Sequence, residues 1–446
     1  MQISARYQAV FEILSEVFED KKPADVIMSN YMKLRKYIGS KDRRFILDTS
    51  WEIIRRRMRL SFDAKSMDAR KILLMYLKDE DFDIITGGTY GLEPLTQDEK
   101  KWLKSMSTKE DEYAPYVELE CPEWLFEKIG NEALLRALNA PASVDIRANF
   151  ISKLELKNRL KGEGLFFSLA PYSPHGLRSS ERININNCVA YQEGLFDLQD
   201  ESSQVAAVLI NPKPNEKIVD YCAGAGGKSL AMGAELKNDG LILCHDVNFN
   251  RMDAIKARAE RLGVKNLKLI KEVTDFDFDC FVVDAPCSGS GTFRRAPDAK
   301  FRLTPERLDE LSKMQSEILE FAYQHTKKGG RIVYMTCSVL LQENEEIVEN
   351  FVSKYADISF ANHKALWQQK IDAPYPFNTE KYLRFSPLLT NTDGFFFCEM
   401  LKNLLILPQK REGLKRVSLL NPPPQRLWRE TEGGGMVGVT LLNPPP

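Results

Sequence analysis

The chain has 446 residues, of which 43% are hydrophobic and 28% charged, with 62 Lys and Arg against 63 Asp and Glu. At roughly 100–200 residues per domain this length predicts several domains. The hydrophobic and charged fractions are close to those of soluble globular proteins, which excludes a wholly disordered, collagenous or coiled-coil chain. The formal net charge of −1 gives no evidence of nucleic-acid binding, although an average over the whole chain can conceal a basic face.

Nothing in the sequence predicts a membrane segment, a signal peptide or a metal site. A run of about 18 apolar residues is absent, and Arg6, Glu12 and Glu16 interrupt the apolar residues of the N-terminus. The eight cysteines form no CxxC pair and are accompanied by four histidines, so we expect neither a zinc site nor a disulfide scaffold. The expected location is the cytoplasm, with reduced thiols.

The first third of the chain, residues 1–135, is expected to be helical. Apolar residues recur with helical spacing over Tyr7–Phe18, and a second amphipathic helix is predicted over Asp42–Leu60. Between Lys33 and Arg59 the sequence has ten basic residues against three acidic ones, a local balance of +7. Such a patch is typical of contact with phosphates, whereas a charge run taken alone is more often a solvated helix face.

After the helical region, strand-like patterns dominate up to residue 402. Short runs broken by prolines predict a small mixed α/β subdomain over 136–205. Between 206 and 402, apolar runs alternate with helical sequence, which predicts a parallel sheet covered by helices on both faces. The predicted strands are Ile218–Cys222, Leu241–His245, Leu267–Ile270, Cys280–Val283, Arg331–Met335 and Gly394–Leu401. Segment 403–446, where Leu-Leu-Asn-Pro-Pro-Pro occurs twice, is predicted to be largely disordered.

A glycine-rich turn follows the first of these strands. Residues Asp220–Ser229 read Asp-Tyr-Cys-Ala-Gly-Ala-Gly-Gly-Lys-Ser and open a helix, whose free N–H groups can face a ligand. The GxxxxGK spacing of a Walker loop is absent. Asp246 ends the second strand, 22 residues after Gly224, where a carboxylate can accept hydrogen bonds from ribose hydroxyls. NAD and S-adenosylmethionine fit this pattern equally, and a helix-capping role would also explain Asp246.

Two thiols are predicted at neighbouring strand ends. Asp284 and Cys287 follow the fourth strand and Cys337 follows the fifth, at the edge where open α/β sheets bind ligands. A disulfide between them is disfavoured in a reducing compartment. A thiolate that adds to carbon 6 of a pyrimidine makes carbon 5 nucleophilic enough to attack a methyl sulfonium, and a second thiol can assist release. This chemistry explains why two thiols would lie beside an adenosine-type cofactor.

The chain resembles the RNA cytosine-5 methyltransferases over about residues 140–402. The resemblance is carried by Gln199-Asp200, Ser203-Gln204, Asp284–Gly291, Arg294, Pro297-Asp298, Phe301-Arg302, Thr336–Ser338, Glu343–Glu345 and Asp393–Phe396. Separately, Gly39–Phe45 and the basic helix after it resemble the NusB-type domain fused to bacterial 16S ribosomal RNA cytosine methyltransferases. Together they imply an N-terminal all-α, NusB-like RNA-binding domain over 1–135 and a Rossmann-like class I methyltransferase domain over 206–402, with the small α/β subdomain between.

The resemblance implies a role for each matching residue. Cys337 would be the nucleophile and Cys287 the thiol that assists product release, while Asp284 would contact the target base. Lys228 would lie close to the cofactor or the base. The residues implied to bind S-adenosylmethionine are Cys222, Ala223, Gly224, Gly226, Gly227, Lys228, Asp246, Arg251, Asp275 and Asp284. The family's Ala-Pro-Gly-Gly-Lys loop reads Gly-Ala-Gly-Gly-Lys here, and loss of the proline is expected to loosen the turn.

We therefore expect an S-adenosylmethionine-dependent enzyme, acting as a monomer, that forms 5-methylcytosine in RNA, with 16S ribosomal RNA as the substrate. The catalytic motifs do not encode the RNA, so a transfer-RNA cytosine-5 methyltransferase is the alternative. A non-catalytic RNA-binding assembly factor is a third, against which both cysteines and Asp284 argue. An exocyclic-amine methyltransferase would carry an aromatic residue after a Pro-Pro pair, where this sequence has Pro286-Cys287.

Overall fold

The computed structural model describes residues 1–20, 22–106, 112–181, 183 and 185–404. The helices are α1 (Ile3–Glu19), α2 (Ala24–Leu34), α3 (Ser40–Arg55), α4 (Arg57–Ala64), α5 (Ala69–Tyr76), α6 (Phe82–Ile85), α7 (Gln97–Met106), α8 (Pro115–Glu118), α9 (Glu123–Ile129), α10 (Glu132–Asn139), α11 (Lys153–Gly162), α12 (Val189–Gln192), α13 (Glu201–Ile210), α14 (Gly227–Glu235), α15 (Asp253–Leu262), α16 (Ala299–Arg302), α17 (Pro305–His325), α18 (Glu345–Lys354) and α19 (His363–Lys370). Within these described ranges, no helix combines the length and apolarity needed to cross a membrane.

The strands fall into two sheets. They are β1 (Val144–Ala148), β2 (Ser168–Leu169), β3 (Gly176–Ser179), β4 (Phe196–Leu198), β5 (Lys217–Asp220), β6 (Leu241–Cys244), β7 (Leu267–Leu269), β8 (Phe278–Asp284), β9 (Thr326–Thr336), β10 (Ile358–Phe360), β11 (Leu383–Phe385) and β12 (Phe395–Lys402). Apart from residues 403 and 404, the segment predicted to be disordered lies outside the described residues.

The N-terminal helices α1–α7 surround one apolar core. The helical spacing predicted over Tyr7–Phe18 places Val10, Ile13 and Leu14 fully inside it. The predicted helix Asp42–Leu60 is instead two helices, α3 and α4, separated at Arg56. The break has a tertiary cause, because the N–H of Met58 donates to the carboxylate of Glu120, distant in sequence, at 2.7 Å rather than to a helical carbonyl.

Helices α8–α10 pack on the catalytic loops. Leu125, Leu135 and Leu138 share one buried cluster with Phe293 and Val339, which lie beyond strands β8 and β9. The boundary predicted at residue 135 therefore falls within this cluster. The segment 115–139 thus packs on the loops after β8 and β9 and also contacts α4.

The small subdomain contains an antiparallel sheet in the order β2-β3-β1-β4. Its apolar side is covered by α11 and α12, with Ile146, Leu156 and Phe196 fully buried. Asp145 on β1 and Arg178 on β3 pair through two contacts, Nε–Oδ1 at 2.7 Å and Nη2–Oδ2 at 2.6 Å, which fix the register of the two strands.

The large sheet has the order β10-β12-β9-β8-β5-β6-β7, and β11 pairs with β12. Strands β5–β9 are parallel to their neighbours, whereas β12 inserts antiparallel beside β9. Successive residues point into two different cores, so that Ile218 lies in one and Val219 in the other. This is a Rossmann-like sheet covered on both faces, as the continuous apolar runs predicted. The carboxyl ends of β5, β6, β8 and β9 meet at one edge.

Candidate active site

The glycine turn between β5 and α14 adopts backbone angles that side chains disfavour. Gly224 has φ 52° and Gly226 has φ 83°, both in the left-handed region. A Cβ added to Gly226 would lie 2.7 Å from Cγ1 of Ile255, a distance that requires the packing to shift. Glycine is thus required at this turn both by the backbone angle and by the lack of space for a Cβ. The turn is well packed even without the family's proline.

Asp246, at the end of β6, holds this turn in place. Its Oδ2 accepts a hydrogen bond from the Gly224 N–H at 2.9 Å, and its Oδ1 accepts one from the Asn248 N–H, also at 2.9 Å. Arg251 Nη1 lies 3.7 Å from the same carboxylate. Upstream, the Ala223 N–H donates to the His245 carbonyl at 2.8 Å. The structure therefore brings the predicted residues from Cys222 to Gly227 together with Asp246 and Arg251.

The site retains groups that a cofactor can use. Asp220 is buried, and its Oδ1 has no hydrogen-bond partner while Oδ2 accepts from Ser229 Oγ at 2.5 Å. Burial raises the pKa of Asp220 to about 7, against the opposing effect of that hydrogen bond. A Cβ on Gly227, at the N-terminus of α14, would meet nothing within 4 Å. Open space beside helix N–H groups and an unused acceptor fit a ligand with hydroxyl, amino and carboxylate groups, as S-adenosylmethionine has.

Asp275, predicted beside the adenine, lies elsewhere. Its Oδ2 pairs with Nζ of Lys217 at 3.1 Å, and Lys217 is the first residue of β5. The glycine turn leaves the other end of that strand, so this prediction requires correction. The physical reason is the topology: Asp275 precedes β8 by three residues, and the amino end of this strand, parallel to β5, lies at the edge where β5 also begins.

The two thiols predicted at neighbouring strand ends are in contact. Strands β8 and β9 pair in parallel with Asp284 opposite Met335, and the chain beyond them brings Cys287 Sγ to 3.3 Å from Cys337 Sγ. Both cysteines are partly exposed. The hydrogen bond to Cys337, together with burial, raises the pKa of Cys287 well above that of an ordinary thiol. Either sulfur can donate its S–H to the other at this distance.

The loop that carries Cys287 is held by a buried carboxylate. Glu343 accepts hydrogen bonds from the Ser288 N–H at 2.8 Å, from Ser288 Oγ at 2.5 Å and from Gln315 Nε2 at 3.0 Å. Gln315 also donates to the Pro286 carbonyl at 2.8 Å. Glu343 was part of the motif that carried the resemblance, but no role was assigned to it. Gln315 lies mid-helix on α17 with no sequence signal, and only the structure reveals it.

Lys228 and Asp284 complete the site. Lys228 Nζ donates to Asp284 Oδ2 at 2.6 Å and lies 4.9 Å from the centre of the Phe395 ring. Burial alone would lower the pKa of Lys228, but the negative charges of Asp284 and Cys337 raise it. Residues from α14, β8, β9 and β12 therefore converge on one point, with a cation beside the thiol pair.

Beneath the site lies a cluster of four buried charges, which we call the Arg–Asp quartet: Arg294, Arg295, Asp200 and Asp393. Arg294 Nε and Arg295 Nε each donate to Asp393, and Arg295 Nη2 lies 3.0 Å from Asp200 Oδ2. The Asp393 N–H donates to the same Asp200 oxygen at 3.1 Å. The quartet joins the segment after Cys287 to the starts of α13 and β12.

Two arginines of the basic stretch between Lys33 and Arg59 pack against other parts of the protein. Arg55 donates to the carbonyls of Asn139 at 2.7 Å and Arg294 at 3.0 Å, and burial lowers its pKa to about 10. Arg57 lies over the rings of Phe18 and Phe301. These arginines join the N-terminal helices to the catalytic loops, so they are not available to phosphates.

The chain is similar in sequence to proteins of known family. A family model for 16S rRNA methyltransferases of the RsmB/F type matches residues 207–401. The probable ribosomal RNA small subunit methyltransferase B of Bacillus subtilis is 30% identical over 303 residues, which cover 64% of this chain and 67% of that protein. The ribosomal RNA small subunit methyltransferase B of Photorhabdus laumondii is 28% identical over 326 residues, 69% of this chain and 72% of that protein.

Solved structures agree with the fold. PH0851 superposes with a TM-score of 0.71 over 89% of this chain and 98% of its own, at 23% identity. A methyltransferase homologue from Pyrococcus horikoshii gives a TM-score of 0.55 at 26% identity, over 65% of this chain and 97% of its own. The fold and the cofactor turn define a Rossmann-like, S-adenosylmethionine-dependent methyltransferase. The chain belongs to the RsmB/F family of 16S rRNA methyltransferases.

Proposed function

We propose that this methyltransferase forms 5-methylcytosine in 16S ribosomal RNA through a covalent adduct between Cys337 and carbon 6 of the target cytosine. The observation that carries the proposal is the 3.3 Å contact between Cys337 Sγ and Cys287 Sγ, beside the Lys228–Asp284 pair. A methyltransferase that acts on an exposed amine or hydroxyl has no use for a nucleophilic thiol. Carbon 5 of a pyrimidine, in contrast, needs activation by addition at carbon 6.

The reaction places each residue in a defined step. Cys337 loses its proton to water and its sulfur bonds to carbon 6, while the Cys287 S–H stabilises the thiolate before the attack. Carbon 5 then takes the methyl group, which S-adenosylmethionine supplies as an electrophilic methyl sulfonium. Carbon 5 loses its proton to water, the carbon 5–carbon 6 double bond re-forms, and the sulfur–carbon bond breaks. The Cys287 S–H again stabilises the departing thiolate, which favours release.

The remaining site residues orient the two substrates. We propose that Asp284, fixed by Lys228, contacts the ring nitrogen of cytosine and polarises the base. The glycine turn from Cys222 to Gly227, with Asp246 and Arg251, would hold S-adenosylmethionine. The target base must leave its stack to reach Cys337, which the family of single-base modifying enzymes achieves by flipping.

The choice of ribosomal RNA rests on the relatives, whose names assign them to the ribosomal small subunit. We propose the corresponding organisation for this chain: an N-terminal NusB-like helical domain that contacts RNA, the small α/β subdomain, and the catalytic domain up to 402. We propose that the protein acts as a monomer.

The thiol roles are tested with purified protein, a 16S ribosomal RNA transcript and S-adenosylmethionine. Cys287→Ala is expected to accumulate a protein–RNA adduct that withstands denaturing electrophoresis, because methylation proceeds but release fails. Cys337→Ala is expected to give neither adduct nor product. Cys121→Ala, a buried cysteine in the α8–α9 connection, is the matched control and should behave as wild type.

Two results would contradict the proposal. Full cytosine methylation by Cys337→Ala would remove the nucleophile assignment. Bisulfite sequencing of ribosomal and transfer RNA from a deletion strain identifies the substrate. Loss of methylation confined to transfer RNA would show that the enzyme is a transfer-RNA methyltransferase instead.

A further inference from the structure

Three exposed lysines of the basic stretch lie where α2 meets α3. We call this surface the α2–α3 corner and define it by Lys33, Leu34, Lys36, Tyr37 and Lys41. All five residues are exposed, with Leu34 at 81% and Tyr37 at 77% of their full accessibility. Tyr37 and Leu34 form a pair of exposed apolar side chains, and three lysines flank them in sequence.

The acidic side chains around the corner already have partners. Asp42 binds the N-terminal ammonium of Met1 at 3.0 Å and Arg6 Nε at 2.7 Å, while Glu12 binds Arg35 at 3.1 Å. Arg35 in addition lies 3.7 Å from the centre of the Tyr31 ring. Asp42 and Glu12 are therefore each paired with a cation outside the corner. The three lysines of the corner keep a positive field directed at solvent.

The corner lies at a fixed distance from the catalytic loops. At the other end of α2, the Ala24 N–H donates to Asp298 Oδ2 at 3.1 Å, and at the far end of α3 Arg55 donates to the Arg294 carbonyl. Both contacts are with the segment that follows Cys287. The 11 residues of α2 span about 16 Å at 1.5 Å per residue. An RNA bound at both places must extend several nucleotides beyond the target base.

We propose that the α2–α3 corner is a second RNA contact, in which Lys33, Lys36 and Lys41 bind phosphates and Tyr37 stacks on an unpaired base. The inference rests on the proposed function only in that the substrate is RNA. An exposed aromatic ring among cations is the combination that binds single-stranded segments, because every base offers a face for stacking and every nucleotide a phosphate. Leu34 extends the apolar platform beside the ring.

The test measures RNA binding without methyl transfer. Wild type and variants are titrated with a 16S ribosomal RNA transcript in the presence of S-adenosylhomocysteine, over a series of salt concentrations. The triple variant Lys33→Gln/Lys36→Gln/Lys41→Gln should make the slope of log affinity against log salt shallower by about 2 to 3, at 0.7–0.9 per lost phosphate contact. Tyr37→Ala should weaken binding roughly 5- to 150-fold at every salt concentration, whereas Tyr37→Phe should retain it.

A matched triple variant controls for bulk charge. Lys265→Gln/Lys268→Gln/Lys328→Gln removes three exposed lysines near the starts of β7 and β9, at the edge of the sheet opposite the active site. It should leave the salt slope within about 1 of wild type. Equal slopes for the two triple variants, or equal affinity for Tyr37→Ala and wild type, would overturn the corner as an RNA contact.

Two further outcomes separate the hypotheses. Wild type that fails to bind the 16S transcript would refute both the proposed substrate and this contact. Corner variants that bind the transcript as wild type does, yet lose methylation of assembled small subunits, would assign the corner to a protein partner and overturn the RNA contact alone. Circular dichroism of each variant confirms that the helices are intact.

Discussion

Replacing Asp200 by Asn should destabilise the catalytic domain strongly, because it leaves a buried positive charge. In the Arg–Asp quartet, Asp200 and Asp393 neutralise Arg294 and Arg295, and all four side chains are almost inaccessible to water. Asn keeps the shape of Asp and can still accept the Asp393 N–H. It loses one negative charge beside two guanidinium groups, so the quartet changes from neutral to +1. Its single oxygen also cannot serve both the Asp393 N–H and the Ser202 N–H, which the two oxygens of Asp200 accept separately.

Two routes give the size of this effect. Burial opposes the ionised form of Asp200, but Arg295 and Arg294 outweigh it and lower its pKa from 3.8 to about 2. At 1.36 kcal/mol per pKa unit, the carboxylate contributes roughly 2 kcal/mol at neutral pH. Removal of one partner of a buried pair costs more, about 3–5 kcal/mol, because the remaining charge stays buried. We expect Asp200→Asn to cost about 3–5 kcal/mol.

The assay is urea unfolding followed by far-ultraviolet circular dichroism at several pH values. Because the folded pKa is the lower one, the contribution of Asp200 is complete above about pH 4 and is lost as pH falls towards 2. The variant should lack this component of acid sensitivity. Glu310→Gln is the control, since its pair with Arg307 is exposed and should contribute less than about 1 kcal/mol. A loss below 1 kcal/mol for Asp200→Asn, or an unchanged acid profile, would refute the charge-balance reasoning.

Three further predictions follow from other parts of the structure. Gly226→Ala should weaken S-adenosylmethionine binding in calorimetry, because a φ of 83° costs Ala about 1–2 kcal/mol and its Cβ would press on Ile255. A variant that binds with wild-type affinity would contradict this prediction. Burial lowers the pKa of Lys300 to about 8, so the unfolded chain binds more protons between about pH 8 and 10.5 and stability rises with pH there. Lys300→Met should flatten that rise in unfolding experiments, and parallel curves would argue against it. Arg55→Met should lower the free energy of unfolding by about 2–3 kcal/mol and speed amide hydrogen exchange in α3, since two interface carbonyls lose a charged donor. Unchanged exchange would exclude a docking role for Arg55.

The sheet was the most predictable part of the fold. Strands buried on both faces leave continuous apolar runs, and the predicted Leu241–His245 differs from the observed β6 by one residue. The same criterion made the predicted strand at β9 too short. The strand begins at Thr326 rather than Arg331, and two lysines and two glycines near its start interrupt the apolar pattern. The break at Arg56 was equally hidden, since it depends on Glu120, distant in sequence.

The site was predictable where neighbouring strands determine it. Cys287 and Cys337 follow adjacent parallel strands, and that topology alone brings the thiols into contact. Asp275 was wrongly placed because spacing along the chain does not tell at which edge of the sheet a loop side chain finds its partner. Charge patterning failed in the same way for Arg55, since a count of cations does not distinguish a buried donor from an exposed one.

The docking of the N-terminal helices has a consequence for synthesis of the chain. Arg55 and Ala24 contact partners 239 and 274 residues further along the sequence. At roughly 5–20 residues per second, a ribosome needs about 12–48 s to reach Arg294 after Arg55 has been made. The helices α1–α7 have their own core and can fold during that interval, while Arg55 and Arg57 face solvent. Arg55 donates to a main-chain carbonyl, that of Arg294, so the helices can dock only when the segment after Cys287 has taken its final shape. Formation of this interface is therefore a late event in maturation of the enzyme.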